Sequence, residues 1–446
     1  MKPIRLFFIC MLCNFFFNTS IAQINWTKHS TPVLSRSAVF PDWKGLATGD
    51  AFVMYDNDTL KMWYSGVGWL TATDDCPHVR MGYAWSVDGI IWNEFAGNPV
   101  LDISADTSQF DSDGIETPTV IKDISAPVNE RYKLWYAGRK ASCQPINDHQ
   151  IGYAYSADGI SWTKYNDNPV LSPGSDVDWY NTFISGPSVI LEEDVYKMWF
   201  TAPDLIFNSQ PTDGKGNIGY ATSLDGIHWE VFPSSVLIAG AQDNWDSASI
   251  AEPIVIKVGS KYYMFYSALN QWAIENFQIG FAESTDGINW TKSTENPVLQ
   301  IGNTNEWDRY WATHPTVIYD SIANKFKMWY TGRDTAIIDS IMGYYWDIGY
   351  AESIFSTTEL IENTNKNTTL HIYPNPNNGI FTLVLPDTFY EDAVVRIYNS
   401  TGELITQLSY LYNEENTLEI QLPDGLYILT LQNEKGFLKE KLIIQK

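Results

Sequence analysis

Acidic residues and a histidine precede five short apolar runs that recur along the chain. These runs are AFVM from Ala51 and four that open with proline, PTVI, PSVI, PIVI and PTVI. The residues one or two positions before the runs are Asp50, Glu116, Ser185 with Gly186, Glu252 and His314. Carboxylates brought together in a cavity shift one another's pKa, so one can keep its proton while another stays ionised. Cleavage of a glycosidic bond needs such a pair, an acid for the leaving oxygen and a base or nucleophile across the sugar ring.

Two roles stay open for Asp50, Glu116 and Glu252 on this evidence. They could act together in catalysis, with His314 binding substrate, or they could cap strand ends or bind a structural cation. The sequence predicts no cofactor, and a structural calcium ion is the metal that it leaves open. No Gly-rich phosphate loop, zinc-spaced histidine cluster or serine triad is present.

A repeated unit positions these residues. The copy from Ile151 to Leu171 reads IGYAYSADGISWTKYNDNPVL, and other copies begin at Met81, Ile218, Ile279 and, in shortened form, Ile348. Aromatic and small residues alternate, Asp-Gly marks a tight turn, and Trp opens the next run, which predicts a strand, a hairpin and a strand. Upstream of each copy lie an aromatic strand, such as YKLWYAG, and the apolar run. Each unit therefore predicts four short antiparallel strands.

Five such units predict an all-β fold, a five-bladed β-propeller over residues 23–355. The fifth copy stops after Ile348 to Ser353, whereas the others continue through a tryptophan to Pro-Val-Leu or a similar ending. Asn25 to Leu34, NWTKHSTPVL, carries the missing pattern. We therefore expect this segment to complete the last blade and close the ring, with the residues that precede the apolar runs around a central funnel.

The Ser-x-Asp-Gly turns are predicted at the opposite end of the blades. They contain Asp88, Asp158, Asp225 and Asp286 and resemble the Asp-box of sialidases with one residue missing. Because the turns repeat and the strand directions place them away from the funnel, we expect a structural role for these aspartates.

The ends of the second strands and the connections that follow them supply further candidates on the funnel face. Arg139 and Arg333 could bind a hydroxyl or carboxylate of a substrate, or pair with the acids. Trp69, Trp272 and Trp346 could stack on sugar rings.

The N-terminal sequence and the charge predict export. Residues 1–22 are a predicted signal peptide, with basic residues, an apolar run and a small-residue cleavage site. In an oxidising compartment Cys76 and Cys143, in equivalent connections of neighbouring blades, are a candidate disulfide. No transmembrane segment is predicted, and the formal net charge of -25 argues against nucleic acid as a partner.

The C-terminal part of the chain has another pattern. Residues 356–370 are a predicted linker, and residues 371–446 show short strands between turn signals, which predicts a small β-sandwich. The motifs YPNPNNG, YNSTGE and DGLYIL and the basic end KLIIQK resemble the C-terminal sorting domain of the type IX secretion system. The resemblance implies export across a Gram-negative outer membrane to the cell surface or beyond, with residues 371–446 engaging the type IX machinery.

The propeller units also resemble a family. YKMWYTG-like strands, IGYAxSxDGixW and NPVL look like the β-fructosidase-like superfamily, which includes glycoside hydrolase family forty-three. The resemblance implies an Asp base on blade one, matched by Asp50, and an orienting Asp on blade two, approximated by Glu116. It also implies a Glu acid on blade three, where Ser185 stands instead, and Glu252 on blade four is the candidate substitute.

These observations predict a secreted, glycan-active propeller that binds an oligo- or polysaccharide. The leading interpretation is a glycoside hydrolase that acts on O-glycosyl bonds with the paired carboxylates of the funnel. The alternative is a propeller without catalysis that binds carbohydrate or mediates adhesion at the cell surface.

Overall fold

The computed structural model describes residues 23–445 with short gaps. The gaps are residues 38, 57–58, 70, 74–75, 141–147, 176–177, 208–209, 271–275, 321–322, 324, 335–344, 357–369, 386–392, 400–403, 412–414 and 434–435. The chain divides into two compact units, residues 1–358 and 359–446. Among the described residues no helix is long and apolar enough to cross a membrane.

The first unit consists of strands and one 3₁₀ turn, Val128–Glu130. In chain order the strands are β1 (Gln23–Lys28), β2 (Ala47–Asp56), β3 (Thr59–Gly68), β4 (His78–Ser86), β5 (Asn93–Glu94), β6 (Gly114–Lys122), β7 (Tyr132–Arg139), β8 (Gln150–Ser156), β9 (Trp162–Lys164), β10 (Ser185–Glu192), β11 (Val195–Phe207), β12 (Gln210–Ser223), β13 (Glu230–Val231), β14 (Ser249–Val258), β15 (Lys261–Leu269), β16 (Gln278–Ser284), β17 (Thr291–Lys292), β18 (Trp311–Asp320), β19 (Lys325–Arg333) and β20 (Trp346–Ser356).

These strands form five antiparallel blades of four strands each. Blade one is β2 to β5, blade two β6 to β9, blade three β10 to β13, and blade four β14 to β17. A single parallel bridge, Val79 to Gly114, links the sheets of blades one and two. The predicted all-β, five-bladed propeller is thereby confirmed.

The N-terminal strand closes the ring. Blade five has the order β18, β19, β20, β1, so its outermost strand comes from the start of the chain. Trp26 pairs with Ser353, and an isolated bridge joins Leu34 to Ile348. The closure expected from the shortened fifth copy is confirmed, and the side chain of Trp26 packs on the ring of Phe265 at 5.7 Å in blade four.

The turn end of the propeller is held by one repeated arrangement. In the turn of blade two, Asp158 Oδ1 accepts hydrogen bonds from the amides of Ile160 and Ser161, both at 2.7 Å. The indole of Trp63 in blade one donates to the Gly159 carbonyl of the same turn at 2.7 Å, which ties the two blades together. The same indole bond recurs as Trp135 to Gly226, Trp199 to Gly287 and Trp329 to Gly89. The turn aspartates bond their own backbone, as a structural turn requires.

The funnel end of each first strand carries a β-bulge. The pairing register shifts between Gly49 and Phe52 in blade one, and at the equivalent place in the other four blades. The residue at the bulge has a positive φ in every blade, namely Asp50 (49°), Thr117 (50°), Gly186 (55°), Glu252 (45°) and His314 (47°). Left-handed backbone at non-glycine residues costs about 1–3 kcal/mol each and is found most often at functional sites.

The second unit is a small β-sandwich, as predicted. Its strands are β21 (His371–Tyr373), β22 (Ile380–Val384), β23 (Ala393–Asn399), β24 (Leu404–Leu411), β25 (Glu415–Glu419), β26 (Gly425–Asn433) and β27 (Gly436–Ile444). One sheet has the order β21, β22, β25 and the other β24, β23, β26, β27. Leu383 from the first sheet and Ile397 and Leu429 from the second are fully buried in one apolar core.

Candidate functional site

The funnel mouth is built from the five bulge residues and the side chains next to them. Asp50 and Glu252 occupy equivalent bulges in blades one and four, and His314 occupies that of blade five. In blade three the equivalent residue is Gly186, so Ser185, which was expected in the acid position, lies one residue earlier. Glu116 likewise precedes the bulge residue Thr117 of blade two.

A hydroxyl from the neighbouring blade fixes four of these five bulges. The Asp50 amide donates to Thr331 Oγ1 at 2.9 Å, and the Glu252 amide donates to Thr201 Oγ1 at 2.8 Å. The amides of His314 and Thr117 are held in the same way by Ser267 and Ser65. The four hydroxyls belong to equivalent residues of the second strands. Blade two has Ala137 at this position, and the bulge of the next blade, blade three, is the one with Gly186. The strained backbone that presents the side chains is therefore secured by the scaffold.

His314 lies between two carboxylates. Its Nε2 is 3.3 Å from Asp50 Oδ1 and 3.6 Å from Glu252 Oε1. His314 Nδ1 is buried and has no hydrogen-bond partner among the described residues, so Nε2 is the ring nitrogen that faces both carboxyl groups. The sum of the two distances limits the separation of Asp50 Oδ1 and Glu252 Oε1 to at most about 7 Å. This upper limit allows the carboxyl separation of retaining enzymes and the short end of the range of inverting enzymes.

All three members of this group have displaced pKa values. Burial raises the pKa of Asp50, although the charge of His314 opposes it. Burial also raises the pKa of Glu252, again against His314, and the carboxylates of Asp50 and Glu116 add to the rise. Burial alone would lower the pKa of His314, but Asp50, Glu252 and Glu116 outweigh it and raise that pKa. The group therefore tends to hold protons that isolated carboxylates would release.

Glu116 differs from the other two carboxylates because cations surround it. Its Oε1 accepts a hydrogen bond from His149 Nε2 at 2.5 Å, and Arg139 Nε lies 3.7 Å away. Burial would raise the pKa of Glu116, but His149 and Arg139 outweigh it and lower the pKa to about 2. Arg139 is in turn oriented by Asp113, at 3.4 Å from its Nη1. Glu116 is therefore ionised at neutral pH while its neighbours resist ionisation.

A small cavity of about 30 Å³ and two larger ones adjoin this group. The aromatic cavity, about 290 Å³, is lined by Phe277, Trp311 and Trp346. The polar cavity, about 260 Å³, is lined by His149, Ser185 and Thr201 together with Phe183 and Pro203. Glu116, Glu252, His314 and Ser249 line both of the larger cavities, whereas Asp50 lines the aromatic cavity and not the polar one.

The other predicted substrate-binding residues are placed differently. Arg139 contacts Glu116, whereas Arg333 is buried and lies over the ring of Trp311, 4.1 Å from its centroid, and it lines neither cavity. Trp69 packs at the edge of Phe40, 5.1 Å between ring centroids, and also lines neither cavity. Trp272 lies outside the described residues.

Only one of the two cysteines of the predicted disulfide lies among the described residues, so the pairing stays a prediction. Cys76 is disulfide-bonded, and Cys143, the predicted partner, lies outside the described residues. Cys76, His78 and Asp113 approach one another closely enough to share a metal ion. Because the Cys76 sulfur is already bonded, it cannot serve as a thiolate ligand, so this group does not make a good metal site.

Several cavity residues escaped the sequence analysis although a signal was available. Phe183, Ser249 and Trp311 stand four positions before the prolines of blades three, four and five, and this position varies between blades as the bulge position does. His149 precedes strand β8 in a connection whose course no repeat specifies. Only the structure brings it to Glu116.

Comparison with known protein families identifies the second unit. Residues 371–445 match the family described as the secretion system C-terminal sorting domain. The type IX resemblance is thereby confirmed, and the chain is exported to the cell surface or secreted.

Two relatives resemble parts of the propeller sequence. An uncharacterised protein of Mycobacterium tuberculosis is 28% identical over 212 residues, which is 47% of this chain and 63% of the relative. The β-1,2-mannobiose phosphorylase of a Thermoanaerobacter species is 29% identical over 135 residues, 29% of this chain and 44% of that enzyme. The matched stretches span less than two thirds of these relatives.

Solved structures share the fold at low identity. A glycoside hydrolase superposes with a TM-score of 0.57 at 18% identity, covering 72% of this chain and 92% of the other. A thermostable family-43 glycoside hydrolase gives 0.50 at 16% identity, covering 70% and 91%. A structure from the GH130 family of mannoside phosphorylases, which contains glycoside hydrolases that target β-1,2 mannosidic linkages in Candida mannan, gives 0.53 at 14% identity, covering 75% and 94%. The first unit is thus a propeller of the type found in family-43 and GH130 proteins.

Proposed function

We propose that the propeller is a glycoside hydrolase in which Glu252 is the acid, Asp50 the base or nucleophile, and Glu116 the ionised neighbour that orients the substrate. The observation that supports this most is the opposite displacement of pKa values within one funnel. Glu116 has a pKa of about 2, while burial raises the pKa of Asp50 and Glu252. A raised pKa suits Glu252 to the role of acid, and an ionised Glu116 suits the role of orienting neighbour. The role of Asp50 rests instead on its position at the bulge of blade one, because its pKa is raised as that of Glu252 is.

The proposed hydrolysis balances with water as the second reactant. Glu252 gives its proton to the leaving oxygen as the bond from that oxygen to the anomeric carbon breaks. If Asp50 is the base, it takes a proton from the water whose oxygen bonds to the same carbon. If Asp50 is the nucleophile, a covalent intermediate forms first and water cleaves it. In the first case His314, between the two carboxylates, passes the proton from Asp50 back to Glu252. In the second case Glu252 regains its proton from the water that cleaves the intermediate, and Asp50 leaves as a carboxylate.

The substrate class is an oligo- or polysaccharide. The similarity to a β-1,2-mannobiose phosphorylase makes β-mannosides the first sugars to test, alongside plant and algal glycans. The cavities beside Glu252, about 260 and 290 Å³, are at the small end of ligand pockets, so each has room for about one sugar unit.

Phosphorolysis is a second candidate because two of the relatives are named as phosphorylases. In that reaction inorganic phosphate replaces water and the product is a sugar phosphate. The funnel disfavours it, since Glu116 is ionised there and repels a phosphate dianion, and Asp50 and Glu252 add no positive charge. Among the described residues Arg139, His149 and His314 offset that repulsion, and each already faces a carboxyl group. Hydrolysis therefore remains the leading proposal.

The experiment is a screen of the mature chain against plant and algal glycans and β-mannosides, with and without inorganic phosphate. It measures released reducing sugar, sugar phosphate and glycan binding separately. We expect hydrolysis without phosphate, with Asp50→Asn losing turnover and keeping binding because its shape is preserved. Binding without cleavage of any glycan would favour the carbohydrate-binding or adhesion alternative, and product formation only with phosphate would favour the phosphorylase.

We also propose that residues 371–446 serve as the address that the type IX machinery engages, and contribute nothing to the chemistry. The sorting-domain match and the separate core of this unit support the proposal. Truncation after residue 356 should leave a folded propeller that stays inside the cell. Normal arrival of the truncated chain at the surface would contradict this role.

A further inference from the structure

The two cavities give the funnel a direction because the carboxylates are not shared equally between them. Of the two, Asp50 lines the aromatic cavity and not the polar one, whereas Glu252 lines both. In the proposed reaction, Asp50 must face the anomeric carbon of the glycone, the sugar whose bond is broken, and Glu252 must face the oxygen that leaves. A glycosidic bond that satisfies both conditions lies at Glu252, with one sugar on each side.

We infer that the aromatic cavity binds the glycone and that the polar cavity binds the leaving group, so the substrate occupies the funnel in one direction only. This inference rests on the proposed function and deepens it. It makes Trp346 a residue that binds the glycone and Ser185 a residue that binds the leaving group.

The aromatic cavity is suited to the flat apolar side of a sugar ring. Trp311 and Trp346 stack at 5.3 Å between centroids with an angle of 26° between their planes, and Phe277 meets Trp311 edge-on at 5.5 Å. The guanidinium of Arg333 lies over Trp311 at 4.1 Å and fixes that ring. Aromatic faces bind C–H groups, so this wall holds a sugar without requiring a particular hydroxyl pattern.

The polar cavity is suited to a group with hydroxyls. Ser185 begins strand β10 and lies on the wall, where its hydroxyl can bond a hydroxyl of the leaving sugar. The hydroxyl of the neighbouring Thr201 already accepts a hydrogen bond from the Glu252 amide. An aryl leaving group has no hydroxyls to offer Ser185, which provides a test of the assignment.

The test compares kcat/KM for two substrates with one glycone, 4-nitrophenyl β-mannoside and β-1,2-mannobiose, or the matching pair for the glycone that the screen identifies. Trp346→Ala should lower kcat/KM about tenfold for both substrates and leave their ratio unchanged, and Trp346→Phe should restore most of the loss. Ser185→Ala should lower the value for the disaccharide several-fold and leave the aryl glycoside unchanged. Unchanged melting temperatures verify that each variant is folded.

The reverse pattern would overturn the direction and leave the hydrolase intact. In that pattern, Ser185→Ala lowers kcat/KM equally for both substrates, while Trp346→Ala changes the ratio of the two kcat/KM values. Calorimetric titration with free mannose measures binding and does not depend on turnover. Mannose binding should be weakened by Trp346→Ala and not by Ser185→Ala, and the opposite result would contradict the assignment. Absence of both cleavage and binding across the screen would overturn the proposed function, and the inference with it.

Discussion

At the turn end of the propeller four blades repeat the same side chains, whereas at the funnel end five blades hold different side chains on the same backbone. Asp88, Asp158, Asp225 and Asp286 each accept the two amides that follow their own turn. At the funnel, one left-handed bulge carries Asp, Thr, Gly, Glu or His. A side chain repeated in every blade serves what the blades share, which is folding. A side chain that changes on a constant backbone is free to serve chemistry.

The largest effect should follow from opening the ring. Deletion of residues 23–35 removes the outer strand of blade five and the buried side chains of Ile24 and Leu34. Burial of one such side chain contributes about 1.5–3 kcal/mol, so the free energy of unfolding should fall by several kcal/mol in urea titration. Trp26→Ala should reproduce part of the loss and the exposed neighbour Thr27→Ala should not. An unchanged melting temperature in the deletion would contradict ring closure.

Glu116 should make the funnel end sensitive to acid. Its pKa is lowered from 4.5 to about 2, so it stabilises the fold above the unfolded pKa, and this stability is lost as pH falls from 4.5 through about 2. The shift corresponds to at most about 3 kcal/mol. We expect Glu116→Gln to lack this component, so the stability difference between the wild type and the variant should shrink as pH falls through this window. A difference that stays constant from pH 5 to pH 2 would contradict the cationic environment of Glu116.

A smaller effect should come from one indole bond at the turn end. Trp135→Phe leaves the Gly226 carbonyl without its donor and a cavity beside it, which should cost about 2 kcal/mol. Catalytic turnover should not change, because the indole lies at the end away from the funnel. Trp85→Phe is the control, since Trp85 is 38% exposed. Equal losses in both variants would show that the bond contributes nothing.

The smallest effect concerns an ion pair in which blade one has the basic and the acidic residue at exchanged positions. Lys44 binds Glu94 at 2.8 Å, whereas the corresponding pairs in blades two, four and five are Asp111 with Lys164, Asp246 with Lys292 and Asp308 with Lys28. The double exchange of Lys44→Asp with Glu94→Lys should change the free energy of unfolding by no more than about 1 kcal/mol. Lys44→Asp alone should cost more, because Lys44 is buried and two carboxylates then meet. If the double variant is no more stable than the single one, the pair is not interchangeable between blades.

The sequence allowed the blades, their number and the closing strand to be predicted because each depends on a local pattern that recurs. Alternating aromatic residues define the strands, and Asp-Gly defines the turns. The shortened copy after Ile348 left a place that only the pattern of Asn25 to Leu34 could fill. The convergence of the first strands then followed from the geometry of a closed ring.

The site could be predicted only to within a residue because a β-bulge decides which side chain faces the funnel. A shift of one residue puts Gly186, and not Ser185, at the bulge position that Asp50 and Glu252 occupy in their own blades. The bulge depends on hydroxyls in the neighbouring blade, such as Thr201 and Thr331, which pair across the interface and not along the sequence. The position of His149 could not be predicted for a similar reason. It lies in a connection outside the repeated pattern, and its contact with Glu116 is made between residues that are distant in the sequence.

The most direct test makes the same type of substitution, Asp to Asn, once at the funnel end and once at the turn end. Asp50→Asn and Asp158→Asn are each purified and compared with the wild type for turnover on the glycan that the screen identifies and for melting temperature. We expect Asp50→Asn to lose turnover by about 10²- to 10⁴-fold while its melting temperature holds, because a base is lost and the shape is kept. Asp158→Asn should lower the melting temperature and keep turnover, because weakened turn bonds do not reach the funnel. Full turnover in Asp50→Asn, or loss of turnover in a folded Asp158→Asn, would contradict the division between a structural end and a chemical end.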